Sequence, residues 1–324
     1  MFLANPKSKR ENIFKRTYDS DRYRNVLNNR SAPADFPFMV DVEPTNHCNL
    51  TCSCCVQQVM KRKKGFMETS LFKKIIDECA AHSAPVRLIR LGEPFLHKDI
   101  LKFCRYAKEK GVGLHITNNG LALQESDMKA LIDMELDSVI FSFQGATKEG
   151  YELMRNNDRY DQLVSNITKL VELRGERMKP YIHISSTMTD ESRNEIKGFM
   201  ERWAGVADSV GVGKTSMAQL SESQMRSMEA MGKVRMLKER ETVRKTYSPC
   251  TEVYQKLSVD WDGKVTCCCG DYDNFMVVGD ANVTSLSDIW NNSAELKRFR
   301  RILDNNMHKT LPLCSACYHT YEEF

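Results

Sequence analysis

The stretch Glu43-Pro-Thr-Asn-His-Cys48-Asn-Leu-Thr-Cys52-Ser-Cys-Cys55 follows directly on a short apolar run, Phe38-Met-Val-Asp-Val-Glu43, that reads as a buried strand. Cys48, Cys52 and Cys55 stand at Cys-x3-Cys-x2-Cys spacing. Four thiolates close a [4Fe–4S] cube. Three leave one iron with an open position, and an open position is what separates a catalytic metal site from a structural one. Thiolate is also the ligand that soft iron–sulfur chemistry selects. Structural zinc prefers paired Cys-x2-Cys units and a fourth ligand, and His47, adjacent to Cys48, is poorly placed to be that ligand. A cluster is therefore expected ahead of a zinc knot or three unrelated thiols.

Outward from this loop, short apolar runs alternate with helical patterns. Strands are expected at 38–43, 86–90, 112–117, 138–143, 181–188 and 209–213, and helices near 68–82, 98–110, 123–135, 147–174 and 190–204. Leu71, Ile75, Ile76 and Cys79 have the spacing of one apolar helical face. Alternation of this length predicts right-handed βαβ units and a parallel sheet. Six such units fit a partial barrel or an open doubly wound sheet, and periodicity does not choose between them. In both, ligands collect at the carboxyl ends of the strands. The cysteine loop, Gly92-Glu-Pro94 and Asn118-Asn-Gly120 all follow expected strands and so fall on that end.

The remaining organisation divides the chain into four parts. Residues 1–35 are a polar, basic arm or peripheral helix, and 36–217 form the main α/β domain. Residues 218–246 are a Met-rich helical linker (Met225, Met228, Met231, Met236), more suited to packing than to a cofactor groove. Residues 247–324, with Pro249-Cys250 and a hairpin-like Val259-Asp-Trp-Asp-Gly-Lys-Val265, form a small second domain.

Composition narrows the function. The chain has 324 residues with Lys+Arg 47 against Asp+Glu 43, a net charge of +4, too mild a balance to call for a nucleic-acid partner. The sharpest charge run, Lys61-Arg-Lys-Lys64, reads as a solvated loop. No segment approaches the roughly 20 apolar residues that span a bilayer, and the N-terminal apolar run is too short for a secretory signal. Twelve cysteines without an export signal belong in a reducing compartment, the cytoplasm by default, where metal or catalytic use outranks disulfides.

The cysteine loop resembles the cluster-binding loop of the radical S-adenosylmethionine (radical SAM) enzymes. The resemblance implies that the open iron is chelated by the amino and carboxylate groups of SAM, and that an electron from the cluster cleaves SAM to a 5′-deoxyadenosyl radical that takes hydrogen from substrate. One departure is Cys54, where the family usually has an aromatic residue near the adenine. Arg90-Leu-Gly-Glu-Pro94 is similar to the family's Gly-Gly-Glu-Pro motif, with Leu91 in place of the first glycine. That similarity implies SAM contacts at Gly92, Glu93 and Pro94, the glycine allowing close backbone approach. Ser142, in Phe141-Ser-Phe-Gln-Gly-Ala146, matches a serine that commonly touches SAM. Asn119 can hydrogen-bond the ligand, although Asn-Gly is first of all a turn former. Gln144 stands where relatives often have aspartate and is given no catalytic role; the catalytic residues stay unassigned. Arg155, in Tyr151-Glu-Leu-Met-Arg155, resembles a recurring family arginine that can pair a carboxylate, yet it reads first as a surface helix residue. His97, His115 and His183 read as structural, and Cys79 and Cys104 as buried apolar residues.

The C-terminal cysteines look like a SPASM-type auxiliary-cluster domain, whose opening pattern is Cys-x9-15-Gly-x4-Cys. Here Cys250 is followed by Gly263 and Cys268, and later by Cys314-Ser-Ala-Cys317. The resemblance implies one auxiliary [4Fe–4S] cluster on Cys250, Cys268, Cys314 and Cys317, with Cys267 and Cys269 as substitutes for Cys268. A zinc ribbon is the structural alternative. Over residues 38–324 the resemblance implies an α/β fold, a partial (β/α)6 TIM-like barrel with a small C-terminal iron–sulfur domain. The implied activity is a radical SAM oxidoreductase with SAM, a SAM-binding [4Fe–4S] cluster and an auxiliary cluster in electron transfer. A maturase of ribosomal peptides and a non-catalytic zinc–thiolate protein are the alternatives. The expected partners are a small-molecule or peptide substrate and a reductant such as flavodoxin or ferredoxin, with no nucleic acid and no membrane.

Overall fold

A computed structural model describes residues 1–30, 33–53, 55–188, 192–214 and 250–317. The chain opens with β1 (Phe2–Ala4), α1 (Ile13–Tyr18) and α2 (Asp21–Asn28). There follow β2 (Met39–Val42), α3 (Thr69–Ala81), β3 (Val86–Leu88), α4 (Ile100–Glu109), β4 (Leu114–Asn118), α5 (Glu125–Asp133) and β5 (Ser138–Ser142). Next come α6 (Lys148–Arg155), α7 (Tyr160–Arg174), β6 (Tyr181–Met188), α8 (Arg193–Ala204) and β7 (Ser209–Lys214). The C-terminal part adds β8 (Lys256–Val259), β9 (Lys264–Thr266), β10 (Val277–Asp280), α9 (Leu286–Asn292) and α10 (Ala294–Asp304).

Strand order settles what periodicity left open. β2 to β7 lie side by side in chain order, every neighbouring pair parallel. A doubly wound sheet must reverse its order so that helices cover both faces. Without a reversal, right-handed crossovers put every connecting helix on one face. The architecture is a partial (β/α)6 barrel.

The two faces of the sheet show the consequence. Val40, Val42, Val86, Leu88, Leu114, Ile116, Val139 and Phe141 are buried without exposure and join the helices in one apolar core. Side chains alternate along a strand, so their neighbours Asp41, Arg87, His115, Ser138, His183 and Ser209 line the other face. Parallel strands ordinarily read as continuous apolar runs because both faces are covered by helices. Here one face is polar and satisfied by its own members. Arg87 donates to both Asp41 oxygens (2.6 and 2.8 Å), His115 Nδ1 meets Ser138 Oγ (2.6 Å), and His183 Nδ1 meets Ser209 Oγ (2.7 Å).

Both edges of the six-stranded unit are occupied. β1 pairs antiparallel with β7, and β8 pairs parallel with β2 and leads into the β8–β9–β10 antiparallel ribbon. The C-terminal part therefore continues the barrel sheet rather than standing beside it. The N-terminal arm is likewise seated: Asn5 N–H donates to Asp208 O (2.9 Å) and Ser8 Oγ to the Asp208 carboxylate (2.7 Å). The helix expected over 147–174 is two helices, because Asn156 turns left-handed (φ 54°) and ends α6, a conformation asparagine tolerates. The Met-rich stretch 218–246 and Cys54 lie outside the described residues.

Burial lowers the pKa of His115 to about 3 and of His183 to about 4. Both stay neutral in the folded chain, whereas an unfolded histidine takes a proton below about pH 6.5. Stability is therefore full above that pH and falls progressively as the pH drops from about 6.5 toward 4, by a few kcal/mol on the order-of-magnitude scale of such linkage. His183→Gln, which keeps a donor for Ser209 and cannot take the proton, is expected to flatten the fall in thermal midpoint between pH 6.5 and 4.5. Calorimetry of both proteins side by side checks this, and an unchanged slope would contradict it.

Candidate metal centres

The cysteine loop leaves β2 at Glu43 and is closed at its neck by its own polar side chains. Thr45 Oγ1 donates to Gly65 O (2.6 Å), and Asn46 both donates to Lys63 O (2.9 Å) and accepts from Gly65 N–H (2.9 Å). Within that neck the loop is fastened at two further points. Ser53 N–H donates to Met154 O (2.8 Å) and Asn156 Nδ2 to Thr51 Oγ1 (2.9 Å), tying its middle to the end of α6. Gln57 Nε2 donates to Asn46 O (2.7 Å) and Leu91 O (2.5 Å), tying its far side to the loop after β3.

That second loop carries Gly92, Glu93 and Pro94. A Cβ on Gly92 would lie 1.9 Å from the Thr45 carbonyl oxygen, so only glycine fits where the two backbones meet. Glu93 N–H donates to His47 O (2.8 Å), and buried Pro94 begins a 3-10 turn. The Glu93 carboxylate accepts from Phe95 N–H (3.1 Å) and Asn119 N–H (2.7 Å). Burial pushes its pKa up to about 7, against the pull of those two N–H groups. Asn119 in turn donates to Asn49 Oδ1 (2.7 Å) and approaches Cys48 Sγ (3.8 Å). The structure thus brings Gly92, Glu93, Pro94 and Asn119 onto the cysteine loop. Ser142 ends β5 at the same carboxyl rim, one residue before Phe143, whose carbonyl accepts from Arg155.

Arg155 is not the surface residue its helical context suggests. It is buried, its Nη1 donates to Cys52 Sγ (3.4 Å) and its Nε to Phe143 O (3.1 Å). Its charge also favours the thiolates of Cys48 and Cys55. Burial, followed by the other thiols, raises the Cys55 thiol to about 11, and burial raises Cys48. Three apposed thiols beside one guanidinium, two of them (Cys48 and Cys55) made reluctant to ionise by burial, form a donor set suited to an anionic metal centre, since metal binding is what deprotonates such ligands. Among the described residues no three His, Cys, Asp or Glu side chains converge as they would around a single ion.

The run Lys61–Lys64 is a second correction, because Arg62 is not solvated. It lies nearly buried, with Nη1 and Nη2 on the Glu43 carboxylate (2.7 and 2.5 Å), Nε on Tyr272 O (2.9 Å), and Asp260 at 3.4 Å. Charge runs are solvated when nothing opposite meets them. Here the opposite charges come from β2 and from the turn after β8, too far along the chain for a local reading.

The second cysteine set flanks that turn, Cys250 before it and the other cysteines after it. Cys314–Ala316 forms a 3-10 turn closed by Cys317 N–H on Cys314 O (3.2 Å), which gathers the Cys-x2-Cys pair. Burial raises the Cys250 and Cys314 thiols to about 12; Cys250 is raised further by Glu252, Cys317 and Cys269, and Cys314 by Cys250 and Cys317. Cys267 is buried and Cys268 half-buried; burial raises both thiols, and Cys250 raises each further. Cys267 also faces Cys314 and places its Sγ 3.9 Å from Met276 O. Cys269 is exposed, 3.5 Å from the Glu252 carboxylate. Cys250, Cys314 and Cys317 therefore meet the 267–269 run, and two of its thiols face the same space.

Residues 42–202 match the radical SAM superfamily model, and residues 250–318 match the SPASM iron–sulfur cluster-binding domain. The chain belongs to the radical SAM superfamily. It carries a SPASM domain at its C-terminal end, a SAM-binding [4Fe–4S] cluster and an auxiliary cluster, and the zinc–thiolate alternative gives way to these matches. A tungsten-containing aldehyde ferredoxin oxidoreductase cofactor-modifying protein of Pyrococcus furiosus is 29% identical over 160 residues, 48% of this chain and 45% of that protein. A mycofactocin maturase of Mycobacterium tuberculosis is 29% identical over 136 residues, 42% of this chain and 35% of the other. The chain thus spans under half the length of these curated relatives. The structure of Streptococcus suis SuiB bound to precursor peptide SuiA superposes with a TM-score of 0.64 at 15% identity, covering 91% of this chain and 74% of that one. That likeness shows a shared fold. No described helix is long and apolar enough to cross a membrane.

Gly92→Ala would drive a methyl into the Thr45 carbonyl, backbone against backbone, so the two loops must part. The reconstituted variant is expected to keep its circular dichroism and lose about 1–3 kcal/mol of stability. Its SAM affinity is expected to fall about tenfold or more, about 1.4 kcal/mol, as read by equilibrium dialysis with labelled SAM.

Proposed function

We propose that this radical SAM enzyme is an oxidoreductase acting on a polar substrate held against the polar face of the barrel. In this reading Cys48, Cys52 and Cys55 hold the SAM-binding cluster, and Gly92, Glu93, Pro94, Asn119 and Ser142 line the SAM subsite. Cys250, Cys268, Cys314 and Cys317 hold the auxiliary cluster, with Cys267 the rival of Cys268. The observation that supports it most is the gathering of three thiols, Arg155, Glu93 and Asn119 at the carboxyl rim of a sheet whose inner face carries hydrogen-bonding groups.

Bound there, cluster and SAM supply a 5′-deoxyadenosyl radical that takes one hydrogen atom from substrate, and a fully thiolate-closed auxiliary cluster supplies an acceptor for the second electron of an oxidation. The chain's own residues do the rest. Arg155 keeps a cation beside Cys52, Asn119 and Glu93 fix the loop around Cys48, and the polar face receives substrate hydroxyl or amine groups. A reductant such as flavodoxin or ferredoxin is the proposed electron source, and the cytoplasm the proposed setting.

A second reading, maturation of a ribosomal peptide, fits about as well. It is supported by the similarity to mycofactocin maturase and by a structural neighbour described with its precursor peptide bound. A polar face accepts a peptide side chain as readily as a small molecule.

Anaerobic reconstitution tests the shared part of both readings. Two cubes require about eight irons and eight sulfides per chain, and reductant plus SAM should yield 5′-deoxyadenosine. Cys52→Ala is expected to abolish that product at every SAM concentration, whereas Cys314→Ala should retain it at saturating SAM. Product formation by Cys52→Ala would remove the ligand assignment.

A further inference from the structure

Arg90 stands between the two cysteine sets and belongs to neither. It immediately precedes Leu91-Gly92-Glu93, and its backbone is in the left-handed half of conformational space at φ 122°. A non-glycine residue holds such a conformation only where its surroundings over-determine it. They do so here through a side chain that is fully buried. Nη2 donates to the Asp260 carboxylate (2.7 Å) and to Asp271 O (2.7 Å), while Nη1 donates to Cys268 O (3.2 Å) and Cys269 O (3.3 Å). The guanidinium thus holds, by three carbonyls, the backbone that carries the 267–269 thiols.

On its other side Arg90 is one residue from the contacts that shape the first site. Leu91 O is held by Gln57, just past Cys55; Gly92 lies against Thr45; and Glu93 N–H is bonded to His47 O, the carbonyl before Cys48. The companion pair Arg62–Glu43 brackets the cysteine loop and reaches the same Asp260 and the Tyr272 carbonyl. Any change in the path of residues 268–271 must therefore move Arg90 or break buried charge-assisted bonds. Moving Arg90 moves the Gly92–Glu93 backbone.

We infer that Arg90 is a positioning residue that couples the two sites: a filled auxiliary site holds the 268–271 backbone, and through Arg90 the Gly92–Glu93 segment, in the arrangement that binds SAM. The inference rests on the assignment of the two cysteine sets made above. It adds that SAM affinity depends on auxiliary-site occupancy and that Arg90 carries the dependence.

A double-mutant cycle on the reconstituted full chain tests it. The four proteins are wild type, Cys314→Ala, Arg90→Lys, and the two combined, with dissociation constants for labelled SAM measured by equilibrium dialysis alongside iron and sulfide counts. Arg90→Met with Asp260→Asn, which removes both buried charges together, replaces Arg90→Lys if the lysine variant does not fold. Loss of the auxiliary cluster is expected to weaken SAM binding about tenfold in the wild-type background, within the usual span of site–site coupling. It should weaken binding no more than about twofold once Arg90 is changed. A purely structural role would lower affinity by the same factor with and without the auxiliary cluster, so factors that simply multiply would overturn the inference. So would SAM affinity indifferent to auxiliary-cluster loss in the wild type. Failure of the underlying assignment reads differently: Cys52→Ala would then keep the SAM-responsive cluster, or Cys314→Ala would keep all of its iron.

Discussion

Six parallel strands laid down in chain order put every connecting helix on one sheet face, and much else follows from the polar face opposite, which the N-terminal arm covers at the amino ends of the strands with Phe14 on His115 and Phe2 on His183. Asp41, Arg87, His115, Ser138, His183 and Ser209 occupy it, largely withdrawn from solvent, and satisfy one another. It cannot be flat, because the twist of successive strands curls the sheet around it. A curled, polar face with loops gathered at its carboxyl end is a ready receptacle for a polar ligand. The cysteine loop and the Gly92–Glu93 loop sit at that mouth because they connect the first strands to their helices.

Charge is managed at the seam between the two cysteine-bearing parts. Glu43 and Asp260 contribute two carboxyl groups, Arg62 and Arg90 two guanidinium groups, and all four side chains are nearly or fully withdrawn from solvent; burial pushes the Asp260 carboxyl up to about 7 against the pull of Arg90 and Arg62. Burying such a group is tolerable because each carboxylate faces a guanidinium and spare donors reach backbone carbonyls. A buried set of this kind adds less to net stability than apolar packing would. It does fix direction: planar, two-pronged bonds allow one relative placement of the parts, where an apolar seam would allow sliding.

How much of this was legible in the sequence depends on range. The first cysteine set, the Gly-Glu-Pro turn and Asn119 are short motifs whose spacing carries their chemistry, and the structure brings them together. Strand positions were legible from apolar alternation. Barrel and doubly wound sheet were not separable, since they differ in strand order and not in strand pattern. Arg62 and Arg155 were misread for one reason. Each lies in a segment whose local composition signals solvent, and each finds its partner across the fold, Arg62 on Glu43 and Asp260, Arg155 on Cys52. The Gly-x4-Cys count points to Cys268, yet Cys267 is buried beside Cys314 as well, a placement set by turn geometry that no spacing encodes.

The pairing of β8 with β2 bears on how the molecule is made. Val40 finds Leu257 more than two hundred residues further along the chain, so during synthesis the edge of β2 leaves the ribosome long before its neighbour exists. Through that interval Glu43 and Arg62 wait without Asp260, and an unpaired strand edge is open to other chains. Until residues 256–259 are made, the β2 edge stays open, so edge-to-edge pairing between nascent chains is the hazard built into this strand order.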